Sequence, residues 1–110
     1  MEKHAISHLI NEKDYELIER ISRLYKVLGE KNRLGIVYAL NKQSHCVHEL
    51  CCMLGAEQSL ISHQLKVLRE ADIVKTSKRG NEVVYSLADE HITKLLKLAK
   101  EHISEDEERN

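Results

Sequence analysis

"SLISHQLKVLREADIVKTSKRGNEVVYSL", residues 59–87, changes its period halfway along, and the fold turns on that change. In the first half Leu60, Ile61, Gln64, Leu65 and Leu68 keep helical phase, so "EQSLISHQLKVLREA" is expected to be a helix. In the second half "IVKTS" and "EVVYSL" are β-branched and alternating. Between them lies "KRGN", with Gly80 where a tight turn needs positive φ. A helix therefore runs into a β-hairpin.

Toward the N-terminus, a short helix is expected from Val47 to Leu54, stopping at Gly55, a natural left-handed cap. "KNRLGIVYALN" supplies a helix before it, through Leu34, Ile36, Val37 and Leu40. Ile10, Leu17, Ile18, Ile21, Leu24, Tyr25 and Leu28 fall mostly at three- and four-residue steps, so residues 11–28 read as a first helix ended by Gly29. Beyond the hairpin, residues 89 to about 105 return to helix. The expected fold is mostly α with a small β-hairpin: four helices, the hairpin and a fifth helix, a winged helix-turn-helix. It occupies residues 1–110 as one domain, with residues 1–10 as an N-terminal arm and 106–110 as a flexible acidic tail.

A chain of 110 residues can bury a core without disulfides or a structural metal. Cys46, Cys51 and Cys52 make no disulfide framework. No apolar run approaches the roughly 18 residues of a membrane span, and "MEKHAISHLI" lacks the apolar core of a signal peptide, so a cytoplasmic location is expected. The net charge of −1 hides an uneven distribution. Residues 66–79 hold Lys66, Arg69, Lys75, Lys78 and Arg79 against Glu70 and Asp72, a local excess of +3. The fourth helix also carries Gln58, Ser59, Ser62 and His63 opposite Leu60, Ile61 and Leu65, short polar side chains suited to base edges and phosphates. Lys66 on the same helix and Lys78 and Arg79 at the hairpin tip complete a candidate surface for double-stranded DNA.

"SLISHQLKVLREADIVKTSKRGNEVVYSL", preceded by "LYKVLGEKNRLGIVYAL", resembles the ArsR/SmtB family of metal-responsive bacterial repressors from about residue 20 to 105. The resemblance implies a homodimer, paired through its first and last helices, that binds inverted-repeat operator DNA and releases it when an inducer, usually a metal ion, binds.

"DEHITKLLKLAKEHISE", residues 89–105, then acquires a geometric reading. On a helix of 100° per residue His91, His102, Glu105, Leu95 and Leu98 share one stripe. His91 and His102 are eleven residues apart, about 16 Å along the axis, too far for one ion with ligand bonds of about 2 Å. The ligands must come from two helices. An antiparallel pair across a two-fold axis would bring Asp89 and His91 of one protomer to His102 and Glu105 of its partner, making two equivalent sites. Asp89 fits only from the N-cap, outside the helix. Asp89, His91, His102 and Glu105 match the C-terminal-helix motif of zinc sensors in the family, and two imidazoles with two carboxylates suit Zn²⁺, with Co²⁺ or Cd²⁺ as other occupants.

A second constellation competes. "SHCVHELCC" places Cys46 and His48 where cadmium-, lead- or arsenic-sensing relatives resemble a Cys-Val-Cys-Asp-Leu pattern, and His4 and His8 in the arm could complete a mixed site. The alternative functions are thus a thiophilic-metal sensor using His4, His8, Cys46 and His48, or a thiol-switched repressor. A hydrolase is disfavoured: four protein ligands in an interface leave no open position for substrate, and there is no other catalytic cluster. No enzyme activity, membrane or small-molecule substrate is expected.

Overall fold

The structure is a computed structural model that describes residues 11–109. Its elements are α1 (Glu12–Gly29), α2 (Lys31–Leu40), α3 (Val47–Leu54), α4 (Gln58–Glu70), β1 (Val74–Arg79), β2 (Glu82–Leu87) and α5 (Glu90–Arg109). The expected order holds.

Each boundary has a local cause. Asn11 caps α1 by accepting the Asp14 N–H at 2.8 Å. Glu30 then breaks the helix with an extended backbone and caps α2, its carboxylate accepting the N–H groups of Asn32 and Arg33, both at 3.0 Å. Those two bonds, from Asn32 first, hold the Glu30 carboxyl below its ordinary range. α3 begins after Cys46, whose N–H donates to Glu49 Oε1 at 2.9 Å, one half of a capping box. It stops at Gly55, which takes φ 61° as the sequence predicts. α4 ends with Asp72 at φ 59°, a conformation that Asp tolerates better than most side chains, and the Ile73 N–H folds back to Leu68 O at 2.9 Å.

β1 and β2 pair antiparallel from Val74↔Leu87 to Arg79↔Glu82, leaving Gly80 and Asn81 as a two-residue loop with Gly80 at φ 65°. The sequence gives no sign of a further strand contact at His45. Its N–H donates to Tyr85 O at 3.1 Å, and the Tyr85 N–H donates back to His45 O at 2.8 Å. This single bridge ties the segment ahead of α3 to the hairpin.

Ile36, Val37, Leu50, Ile61, Leu65, Leu68 and Ile73 form the fully buried centre of the core, drawn from α2, α3, α4 and the start of the hairpin. Three expectations need correction. Leu34 and Leu60, counted in the apolar phase of their helices, are exposed, since their helices turn neighbouring positions inward: Ile36 and Val37 in α2, Ile61 and Leu65 in α4. In the first helix Tyr15 and Leu28 are buried and Leu24 and Val27 partly so, while Leu17, Ile18, Ile21 and Tyr25 are exposed in one protomer. Finally, residues 106–109 are not a separate tail, since α5 continues through them to Arg109. The N-terminal arm, with His4 and His8, lies outside the described residues.

Candidate nucleic-acid interface and metal centre

α4 is held by one face and offers the other. Ile61, Gln64, Leu65 and Leu68 are buried, and Gln58, Ser59, Ser62, His63 and Lys66 are all exposed. The structure therefore brings the five candidate DNA-contacting residues of this helix onto one solvent face. Gln64 is buried against a cation: Arg33 Nη1 donates to its Oε1 at 3.0 Å, while Arg33 Nε donates to Val27 O at 2.8 Å. Val27 is among the last four residues of α1, whose carbonyls lack helical donors. One guanidinium thus ties the end of α1 to the middle of α4. The sequence carried no local signal for it.

The hairpin tip is less free than expected. Arg79 Nη2 donates to Glu49 Oε1 at 3.2 Å and lies 3.4 Å from Glu82 Oε1. Among the described residues, Lys78 makes no such pair. The N–H of Cys46, then the guanidinium of Arg79, pull the Glu49 carboxyl down to about 2. Glu49 Oε1 also lies 3.4 Å from His45 Nδ1, a buried atom with no hydrogen-bond partner. Glu49 is thus a hub that sequence reasoning missed, although Glu three residues after Cys46 is a capping-box spacing.

Asp89 stands just ahead of α5, outside the helix as the geometry required. Its Oδ1 accepts the His91 N–H at 2.9 Å and lies 3.3 Å from His91 Nδ1. Partial desolvation pushes the Asp89 carboxyl up, but the backbone and ring of His91 together with the Ile92 N–H outweigh it, leaving the group below its ordinary range. At the far end His102 Nε2 is 4.0 Å from Asp106 Oδ2, and Glu105 is exposed one turn along. His102 also lines a cavity of about 450 Å³ with Tyr25, Leu34, Leu95 and Leu98. The four candidate ligands thus fall into two groups at opposite ends of α5. Among the described residues no three His, Cys, Asp or Glu side chains converge within one protomer.

Of the second constellation, Cys46 and His48 lie among the described residues, and they differ in exposure. Cys46 is buried at the start of α3, whereas His48 is exposed and its Nε2 lies 3.8 Å from Cys52 Sγ one turn later. A reading of Cys46 and His48 as a ligand pair overlooked Cys52, which the i, i+4 spacing could have suggested.

Four helices, a basic hairpin packed behind a solvent-facing polar helix and a fifth helix define a winged helix-turn-helix DNA-binding protein. The comparisons narrow the class. Residues 30–76 match the family described as bacterial regulatory protein, arsR family. The chain is 36% identical over 91 residues to the HTH-type transcriptional repressor SmtB of Mycobacterium tuberculosis, covering 83% of this chain and 67% of that protein. It is 31% identical over 83 residues to a cadmium resistance transcriptional regulatory protein CadC homolog of Staphylococcus aureus, covering 74% of this chain and 69% of the relative. Its fold is similar, with a TM-score of 0.81 at 22% identity, to the solution structure of the homodimeric winged helix-turn-helix DNA-binding domain Mb0332 from Mycobacterium bovis, over 91% of this chain and 93% of that one. The chain belongs to the ArsR family, a family of transcriptional regulators and not of enzymes. It spans about two thirds of the length of the SmtB relative. No helix among the described residues is long and apolar enough to cross a membrane.

Proposed function

We propose that the chain is a homodimeric transcriptional repressor that binds operator DNA and releases it when Zn²⁺ occupies sites shared between the α5 helices of two protomers. One observation carries this reading. α5 presents His91 beside Asp89 at one end and His102 with Glu105 at the other, and both imidazoles are well exposed. On the same helix Leu98 and Ile103 are 63% and 57% exposed, and α1 leaves Leu17, Ile18, Ile21 and Tyr25 uncovered. Ligands and unpaired apolar side chains on the same two helices support one event, in which a second copy buries the apolar groups and supplies the missing half of each site.

In this dimer Asp89 and His91 face His102 of the partner subunit and Glu105 of the partner subunit. When bound, the cation supplies a fixed cross-link between the two chains, with two imidazole nitrogens and two carboxylates around it. Asp89 is already oriented by the His91 N–H. In DNA binding, Gln58, Ser59, Ser62, His63 and Lys66 read one major groove per protomer, and Lys78 and Arg79 contact the backbone. Asp89 and His91 of one protomer with His102 and Glu105 of the other would hold the cation, and a cross-link there would fix the relation of the two α4 helices, which must fall about 34 Å apart to enter successive grooves. The Arg33 tie between α1 and α4 is a physical link along that route.

The test is fluorescence anisotropy with a labelled duplex selected by the protein from a random pool. Saturating Zn²⁺ is expected to weaken binding about 5- to 150-fold, the range of ordinary coupling energies. His102→Ala should bind the duplex normally and lose the response. Affinity unchanged by Zn²⁺ in the wild type would refute the reading.

A further inference from the structure

We infer that Leu60 reads the 5-methyl group of a thymine in each operator half-site, a sequence-specifying contact that the polar residues of α4 cannot make. The inference rests on the reading of α4 as the helix that enters the major groove. Helical phase puts Leu60 in one apolar set with Ile61 and Leu65, yet it is 37% exposed while those two are buried. It takes no part in the buried core cluster. Nor does it belong to α1 or α5, whose uncovered apolar groups a second copy would bury. Every other exposed residue of α4 is polar or charged, so Leu60 is the one apolar side chain this helix shows to solvent.

Its position suits a base contact. Leu60 is the third residue of α4, and the N-terminal residues of a reading helix are those that reach base edges. At about 100° per residue it lies about 90° from the middle of the buried face of Ile61, Gln64, Leu65 and Leu68, and about 60° from His63. It stands on the shoulder of the reading face, one turn before His63.

The chemistry of the groove decides what such a residue can do. In the major groove an A·T pair offers adenine N7 and N6 and thymine O4, together with the thymine 5-methyl group. Gln58, Ser59, Ser62 and His63 can answer the donors and acceptors. The methyl group takes no hydrogen bond and is recognised by apolar contact, which an isobutyl side chain supplies. Covering one methyl-sized group raises affinity about fourfold, and two half-sites together about 15-fold.

The test uses the full-length chain and the duplex selected from a random pool, with each thymine replaced in turn by deoxyuridine, which keeps the base pair and removes only the methyl group. By fluorescence anisotropy, replacing one symmetry-related pair of thymines is expected to weaken wild-type binding about 15-fold. Leu60→Ala should bind the thymine duplex about as weakly as wild type binds the deoxyuridine duplex, with no further loss on deoxyuridine. Leu60→Met, which keeps an apolar reach, should retain most of the penalty. A deoxyuridine penalty of equal size in wild type and Leu60→Ala, or no penalty at any thymine, would overturn the assignment. Lys66→Ala separates this from failure of the α4 reading. If Lys66→Ala weakens binding while the thymine scan is flat, α4 enters the groove and only the Leu60 assignment falls; if Lys66→Ala and Leu60→Ala both leave affinity unchanged, the two fall together.

Discussion

Replacing Arg33 with Met probes the buried tie between α1 and α4 without changing the volume of the side chain much. Gln64 is 8% exposed and the Arg33 side chain 17%, so water cannot readily replace either partner. A hydrogen bond to a charged group contributes about 1.5–3 kcal/mol, and a buried acceptor left alone costs about 1–3 kcal/mol. Arg33→Met also strips Val27 O of its donor, but that carbonyl lies at a helix end and can be hydrated. The net expectation is a loss of about 2 kcal/mol. With a urea slope of about 1–2 kcal/mol per molar, the midpoint falls by about 1–2 M. Gln64→Leu alone should cost less, about 1 kcal/mol, because the freed guanidinium still reaches solvent along one edge. The decisive measurement is the double variant. If the two side chains satisfy one another, Arg33→Met with Gln64→Leu leaves no orphan and should be at least 1 kcal/mol more stable than the sum of the single losses predicts. Equilibrium unfolding at one fixed protein concentration gives all four values, since the proposed dimerisation would make apparent stability concentration-dependent. Additivity within about 0.5 kcal/mol would refute the argument that Arg33 and Gln64 act as a pair.

Glu49 has a folded pKa near 2 against an ordinary 4.5, so its contribution is fully present above about pH 4.5 and is lost as the pH falls toward 2. The melting-temperature gap between wild type and Glu49→Gln should therefore be largest at neutral pH and shrink through that acid window; a gap constant from pH 7 to 2.5 contradicts the assignment. Lys78→Ala, measured by duplex binding across a salt series, should flatten the slope of log K against log salt by about 2 in a dimer, since each subunit loses one phosphate contact of about 0.9. Arg79→Ala should flatten it less, because Glu49 and Glu82 already hold that guanidinium. Leu65, which is fully buried, should cost about 2–5 kcal/mol of unfolding free energy when cut to Ala, and denaturant unfolding reads it directly. If each α5 site draws ligands from both protomers, Zn²⁺ must tighten the dimer; sedimentation equilibrium showing the same dissociation constant with and without Zn²⁺ would refute the shared site.

The parts of the fold legible in the sequence are those whose signals are local. Gly55 and Gly80 announced left-handed positions, the switch from helical to alternating phase at Ile73 announced the hairpin, and both are where they were expected. What escaped were interactions between distant positions. Arg33 and Gln64 are 31 residues apart and Glu49 and Arg79 are 30 apart, so no spacing in the chain marks either pair. The His45 bridge escaped for a related reason, since one residue cannot show an alternation. Leu34 and Leu60 keep helical phase yet are exposed, because a helical phase gives a stripe about 100° wide without saying which edge of it a neighbour covers.

α5 combines both cases. The stripe of His91, Leu95, Leu98, His102 and Glu105 is a local pattern, legible from residue spacing alone. Its meaning is not local, because one protomer leaves His91, Leu98, His102 and Glu105 in solvent together, with only Leu95 partly buried. An ordinary surface helix separates its apolar and polar positions to opposite sides. Here a single face mixes exposed leucine with exposed imidazole, and α1 adds Ile18, Ile21 and Tyr25 to the uncovered area. Burying the leucines alone would strand the imidazoles in an apolar contact, where unpaired polar groups are costly. Hydrating the imidazoles alone would leave the leucines wet. A partner that brings leucines opposite leucines and carboxylates and imidazoles opposite imidazoles resolves both, and an antiparallel copy of the same helix has that complement by symmetry.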